Sequence, residues 1–316
     1  MKIYITLRYW AVLLIILFLT GCNRSLVLWN QATENFNQAT SLETTNRFTS
    51  RLQVSGAATP PAEAVPDVDK LFGIAPENTG QTAEELYKKA DQQITEALDT
   101  PLPLQKEGKL ANARFLKALV AWKTGQAEAA RANAALALEE FKNQEEPSPR
   151  DEALARAIPG LVALDEVYAA TQPMIQQLKD KAADAPNMSE TDAKALFTQA
   201  RDLYDDVINT SNLNSLAGAK ADFEAAMMKA GNQKEVITYL QLCEMAGLKN
   251  QFDLWSGLDN FAKRAGLKAD NPDIRSWLDT EEERYLENKD RALDQLKEVV
   301  EGGTSNPAYL YWDRIL

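Results

Sequence analysis

Histidine is missing from this 316-residue chain, and cysteine is reduced to two positions, Cys22 and Cys243. The first absence removes the commonest general base, the commonest zinc ligand and the side chain that titrates near neutral pH. Catalysis would fall to carboxylates, Lys, Tyr or Ser. Basic residues are scarce relative to acidic ones, 34 against 46, and a net charge of −12 repels phosphate backbones and anionic headgroups, so nucleic acid is excluded as a partner. Beyond Leu19 no apolar run approaches the roughly 20 residues that span a bilayer. No stretch alternates apolar and polar residues at period two, which excludes a strand-rich fold. A glycine-rich phosphate loop, a Gly-x-Ser-x-Gly elbow and metal-ligand spacing are all lacking, so no metal site is expected.

What is present begins at the N-terminus. Lys2 and Arg8 precede eleven apolar residues, Tyr9 to Leu19, followed by Thr20, Gly21 and Cys22. A basic start, an apolar run inside the ~7–15-residue range and a small-residue end are the order of a secretory signal peptide. Cleavage before Cys22 leaves 46 acidic residues against the 32 basic ones that remain after Lys2 and Arg8, a net charge of −14.

Leu19-Thr20-Gly21-Cys22 resembles the lipobox of bacterial lipoproteins. The resemblance covers residues 1–22. It implies removal of residues 1–21 and lipidation of Cys22, with a diacylglycerol thioether on the thiol, an N-acyl chain such as palmitate and no other cofactor. Thiols suit that bond as nucleophiles, and two or three acyl chains, each contributing about 0.8 kcal/mol per buried methylene, make attachment to the membrane permanent. Asn23 is the sorting position. Enterobacterial lipoproteins read aspartate there as inner-membrane retention, so asparagine favours the outer membrane, facing the periplasm. With Cys22 acylated no internal disulfide can form, and Cys243, on the apolar stripe of "YLQLCEMAGL", reads as a buried core thiol.

After the anchor, residues 22–53 form an N-terminal helix with Trp29, Ala32, Phe36, Ala39 and Leu42 on one face. Residues 54–80 form a linker, where Pro60, Pro61, Pro66 and Pro76 forbid continuous helix; Leu71, Phe72 and Ile74 suit docking of its second half. Helical structure resumes over 81–209. Thr82 with Glu85 is a capping box opening a helix to about Leu98, and Pro101 and Pro103 end it. Helices over 109–123 and to Phe141, turning at Gly125, form an αα-hairpin. Asp151 to Ala183 is helical, kinked or divided at Pro159 and Pro173. Another helix follows Ser189. In 210–316, a C-terminal helical region with an aromatic tail, Gly231, Gly247 and Gly266 mark helix ends, and Asn271-Pro272 opens the last helices, to about Val300.

Four helices share a stripe: Trp29-Ala32-Phe36-Ala39, Tyr87-Ala90-Ile94-Ala97, Ala127-Ala130-Ala134-Ala137 and Phe197-Ala200-Tyr204-Val207. These positions resemble the second helix of a tetratricopeptide repeat (TPR), where a small residue admits the paired helix. The central alanines recur unevenly, whereas the family repeats at about 34 residues. The expected fold is therefore all-α, an irregular tetratricopeptide-like helical-pair solenoid or bundle.

Asp202, Asp205 and Asp206 place carboxylates on adjacent turns, a geometry for a cation or for acid–base work, but they fit a solvated helix face opposite Leu203, Tyr204 and Val207. Glu281-Glu282-Glu283 read as salt-bridged surface. Lytic transglycosylases, which resemble lysozymes, carry a catalytic Glu followed by Ser, and no Glu-Ser pair occurs here. A glycan hydrolase would need two facing carboxylates roughly 5–10 Å apart, a pairing for which the sequence gives no support. No catalytic residue is assigned. Tyr309, Tyr311 and Trp312 of the tail are either a segment docked on the last helix or a partner-binding motif.

Together these readings describe a lipoprotein of the bacterial cell envelope, not an enzyme, whose helical repeats mediate protein–protein interaction as a scaffold for envelope protein partners. The alternative is a carrier holding a small molecule or lipid in a helical cavity.

Overall fold

Every regular element of the described residues is helical. The computed structural model describes residues 24–53, 82–210, 212 and 214–316. Cys22, Asn23 and the 54–80 linker, with Leu71, Phe72 and Ile74, lie outside them. Twelve α-helices follow one another: α1 (Arg24–Gln53), α2 (Ala83–Asp99), α3 (Leu102–Lys106), α4 (Leu110–Lys123), α5 (Ala127–Lys142), α6 (Pro149–Ala182), α7 (Glu190–Tyr204), α8 (Leu216–Ala230), α9 (Lys234–Arg264), α10 (Leu267–Asp270), α11 (Pro272–Val299) and α12 (Pro307–Ile315). Among the described residues no helix is long and apolar enough to cross a membrane. These residues fall into two compact units, 24–44 with 82–155, and 45–53 with 156–316, and the division lies within α6.

In the first unit α1 and α2 run antiparallel. Ser25 Oγ donates to the Thr100 carbonyl (2.8 Å), Asn35 Nδ2 to Gln93 Oε1 (2.7 Å), and the Thr40 and Tyr87 hydroxyls meet at 3.3 Å, a register that rises in one helix as it falls in the other. The stripes read from sequence form the seam: Ala32, Phe36 and Ala39 of α1 and Tyr87, Ala90, Ile94 and Ala97 of α2 are buried, with the Phe36 and Tyr87 rings 5.7 Å apart. Leu42 departs from the expectation and is largely exposed. Thr82 caps α2 by the expected reciprocal pair: Glu85 N–H donates to Thr82 Oγ1 (3.2 Å), and Thr82 N–H to the Glu85 carboxylate (3.1 Å). The proline pair does end α2, but the chain turns at once into α3, because Pro101 and Pro103 stand where an N-terminal turn needs no N–H donor.

Gly125, at φ +75°, makes the corner between α4 and α5. Ala130, Ala134 and Ala137 of α5 are wholly buried, which lets α4 approach its backbone. Lys117 of α4 ties back to α2 through Asp91 (2.7 Å) and Thr95 (2.8 Å).

Pro159 and Pro173 do not divide α6, which continues through both. Each removes one backbone donor, at a cost of about 3 kcal/mol. Ala157, Ile158, Leu161, Val162, Ile175 and Leu178 are buried around them and offset that loss. Gly247 is not a helix end either: it sits inside α9, where an added Cβ would lie 2.3 Å from Leu216 Cδ1. Its role is close approach of α8, whereas Gly231 (φ +58°) and Gly266 (φ +76°) do stand at helix ends with a positive φ, Gly266 in the left-handed conformation.

In the second unit α9 is the central helix. It is buried nearly all round from Tyr239 to Gln251, the signature of a helix surrounded by others. Its buried polar groups reach several neighbours. Asn250 and Thr171 of α6 share hydrogen bonds of 2.9–3.0 Å, Gln251 Nε2 donates to the Tyr204 hydroxyl of α7 (2.8 Å), and Trp255 Nε1 donates to the Leu278 carbonyl of α11 (3.1 Å). Trp277 of α11 meets Phe197 and Tyr204 edge-on, with ring centres 6.0 and 5.3 Å apart. Cys243 is buried, as its stripe predicts.

Candidate functional site

A cavity of about 480 Å3 opens in the second unit, where α7, α8, α9 and α11 converge. Local sequence shapes each wall. The π-turn that follows α7, Asp205–Asn209, has the Thr210 N–H reaching back five residues to the Asp205 carbonyl (3.1 Å). Such turns recur at functional sites because they displace side chains from the helical register; here Ile208 and Asn209 face the cavity. Ser215 caps α8 through the Gly218 N–H (3.0 Å) and aims its first turns, Leu216, Ala217, Lys220 and Phe223, inward. Residues at i, i+4, i+7 share a helix face. Glu244, Leu248 and Gln251 of α9 are one such triplet, and Arg284, Asn288 and Arg291 of α11 are another.

The walls differ in character. Ile208, Leu216, Phe223 and Leu248 supply buried apolar surface. Three cations also line the cavity. Lys220 Nζ lies 3.1 Å from Glu244 Oε1, an ion pair without hydrogen-bond alignment. Arg284 Nη1 donates to Glu281 Oε1 at 2.8 Å. Arg291 donates to the Asn288 side-chain carbonyl and, among the described residues, meets no carboxylate. The α11 wall is thus cationic, while the α8 and α9 walls are apolar apart from the Lys220–Glu244 pair, within a chain whose net charge is negative.

Glu281 stands behind Arg284 and is only 3% exposed, and its Oε2 has no well-aligned hydrogen-bond donor among the described residues. Burial raises its pKa above the usual glutamate value; the Arg284 charge opposes that shift, as do Asn209 and Tyr204 nearby. Tyr204, buried against it, is pushed well above the ordinary phenol range by the same desolvation. Glu281 therefore corrects the sequence reading of residues 281–283 as surface, since Glu282 and Glu283 are exposed while Glu281 is not. A signal was available: Ile274, Leu278, Glu281 and Tyr285 fall at i, i+4, i+7, i+11, the buried stripe of α11. Lys220, Glu244, Arg284 and Arg291 carry no comparable sequence signal, because three separate helices, α8, α9 and α11, bring them together.

Of the acidic trio, Asp202 and Asp206 are exposed, Asp202 pairing with Arg201, while Asp205 is half-buried and accepts from Asn209 Nδ2 (3.0 Å). No group of three or more metal-ligating side chains is found among the described residues. The aromatic tail takes the first of its two sequence readings, a docked segment. Trp312 is fully buried and Tyr311 nearly so, in a core with Leu242, Met245, Leu248, Leu293 and Leu296, and Tyr309 packs half-buried beside it. Tyr285 donates its hydroxyl proton to the Leu316 carbonyl and fixes the chain end. Their apolar surface is spent inside the unit, so Tyr311 and Trp312 are not presented to a partner.

The chain matches no protein-family model, no curated protein and no solved structure.

Proposed function

We propose that the chain is a lipid-anchored, periplasm-facing envelope protein, most consistent with outer-membrane sorting, whose tetratricopeptide-like helix pairs bind envelope protein partners. One observation carries the scaffold reading: in the first unit the α1/α2 pair and the α4/α5 hairpin pack through alanines that are 0% exposed, at the stripe positions where tetratricopeptide helices place small residues. Stacked pairs of this kind leave a broad polar face for a partner, and a lipid on Cys22 would confine that face to the membrane plane and raise its effective concentration.

A photo-crosslinking residue placed at Leu136 of α5, at Leu102 of α3 and at other exposed positions of the first unit tests the scaffold in living cells. Discrete adducts of defined mass at a contiguous subset of positions are expected. Absence of any adduct across the scan contradicts the scaffold reading. The second reading, a carrier, is favoured by the cavity of the second unit, whose size lies within the range of roughly 300–1,000 Å3 usual for small-molecule sites.

A further inference from the structure

We infer that the cavity of the second unit binds an oxyanion, a carboxylate or phosphate monoester, carried on a short apolar body. This rests on the carrier reading and adds the chemistry of its ligand. Arg284 and Arg291 stand two turns apart on the face of α11 that lines the cavity, with Asn288 between them. Their arrangement supplies guanidinium N–H groups from one wall, and guanidinium is the side chain whose fork matches carboxylate and phosphate oxygens. Glu281 holds Arg284 by one nitrogen, Nη1, which orients the group. Arg291 is exposed and, among the described residues, has no carboxylate of its own, so its guanidinium is open to an incoming anion.

The opposite wall fixes the rest of the ligand. Phe223, 1% exposed, and Leu248, 4% exposed, form an apolar floor that Leu216 and Ile208 extend. A ligand with an anionic head and a short apolar chain would meet the exposed guanidinium groups of Arg284 and Arg291 on one wall and the apolar side chains on the other. Glu244, buried and facing the cavity, is already neutralised by Lys220 at 3.1 Å and disfavours a second anion at that end. The anionic group therefore belongs at the α11 side and the apolar chain at the α8 and α9 side.

The test is calorimetric titration of the full mature chain, below the micelle-forming concentration of each probe, with decanoate, decyl phosphate and decyltrimethylammonium. Decanoate and decyl phosphate are expected to bind and the cationic probe is not; the ratio of the first two affinities identifies the preferred headgroup. Arg291→Gln, at an exposed position that folding tolerates, should weaken both anions about tenfold, and Ala217→Trp, which fills the cavity, should abolish binding. Circular dichroism of both variants should match the parent. Equal binding of cationic and anionic probes, or anion binding indifferent to Arg291→Gln, overturns the oxyanion seat while leaving a carrier. No binding by any probe removes both.

Discussion

Replacing Trp312 by Ala separates the two readings of the C-terminal tail. Its side chain is 0% exposed and joins the core formed by α9, α11 and α12. A buried Trp removes about 150–250 Å2 from water, and at about 25 cal/mol per Å2 this contributes about 4–6 kcal/mol before compactness of the unfolded chain reduces it. Large-to-small measurements in cores give about 3–5 kcal/mol for the same change. The indole Nε1–H donates to no acceptor among the described residues. Losing that unpaired donor returns part of the cost, so the expected loss sits near about 3 kcal/mol, roughly a hundredfold in the unfolding equilibrium. Leu310, one turn-face away and 54% exposed, should change by less than about 0.5 kcal/mol on replacement by Ala. Urea unfolding followed by circular dichroism, with the transition of the second unit fitted separately, gives both values. Equal and small effects at Trp312 and Leu310 would refute the docked tail and restore the aromatic patch as a partner surface.

Two further perturbations probe the packing and the buried acid. Ala90, 0% exposed on the α2 stripe, should lose about 1–3 kcal/mol on replacement by Leu through overpacking, whereas exposed Lys89→Leu should stay within about 0.5 kcal/mol by the same urea assay. Glu281 binds its proton more tightly folded than unfolded, because burial raises its pKa, so its contribution to stability is present below the unfolded glutamate range and lost as pH rises through the folded value. Thermal unfolding from pH 4 to pH 8 should therefore show Glu281→Gln gaining on the parent as pH rises and levelling off above the raised pKa; a difference independent of pH contradicts the buried acid.

Local rules made much of this fold legible. The capping box at Thr82, the Gly125 corner, the Ser189 cap and the Asn271-Pro272 start each depend on residues within one turn, and the structure forms them where the spacing predicts. Periodicity likewise identified the buried α2 face, since every residue of Tyr87-Ala90-Ile94-Ala97 is in the core. The misreadings arose where tertiary packing decided. Glycine at 247 reads as a terminator by propensity, yet the proximity of Leu216 requires a residue without Cβ inside a continuous helix. Prolines 159 and 173 read as kinks or divisions, and burial on both sides carries α6 through them undivided. The cavity was illegible for a related reason: Lys220, Glu244 and Arg291 are ordinary helix-surface residues until four helices converge around them.

The central claim, an acidic all-helical protein held in the envelope by lipid, is tested most directly by the mass of the N-terminal peptide of the protein purified from membranes. The predicted result is a peptide beginning at Cys22 and heavier by a diacylglycerol thioether, with an N-acyl chain where the host adds one, and its loss from the membrane fraction in Cys22→Ser. A mature chain that begins elsewhere, or with an unmodified Cys22, contradicts it.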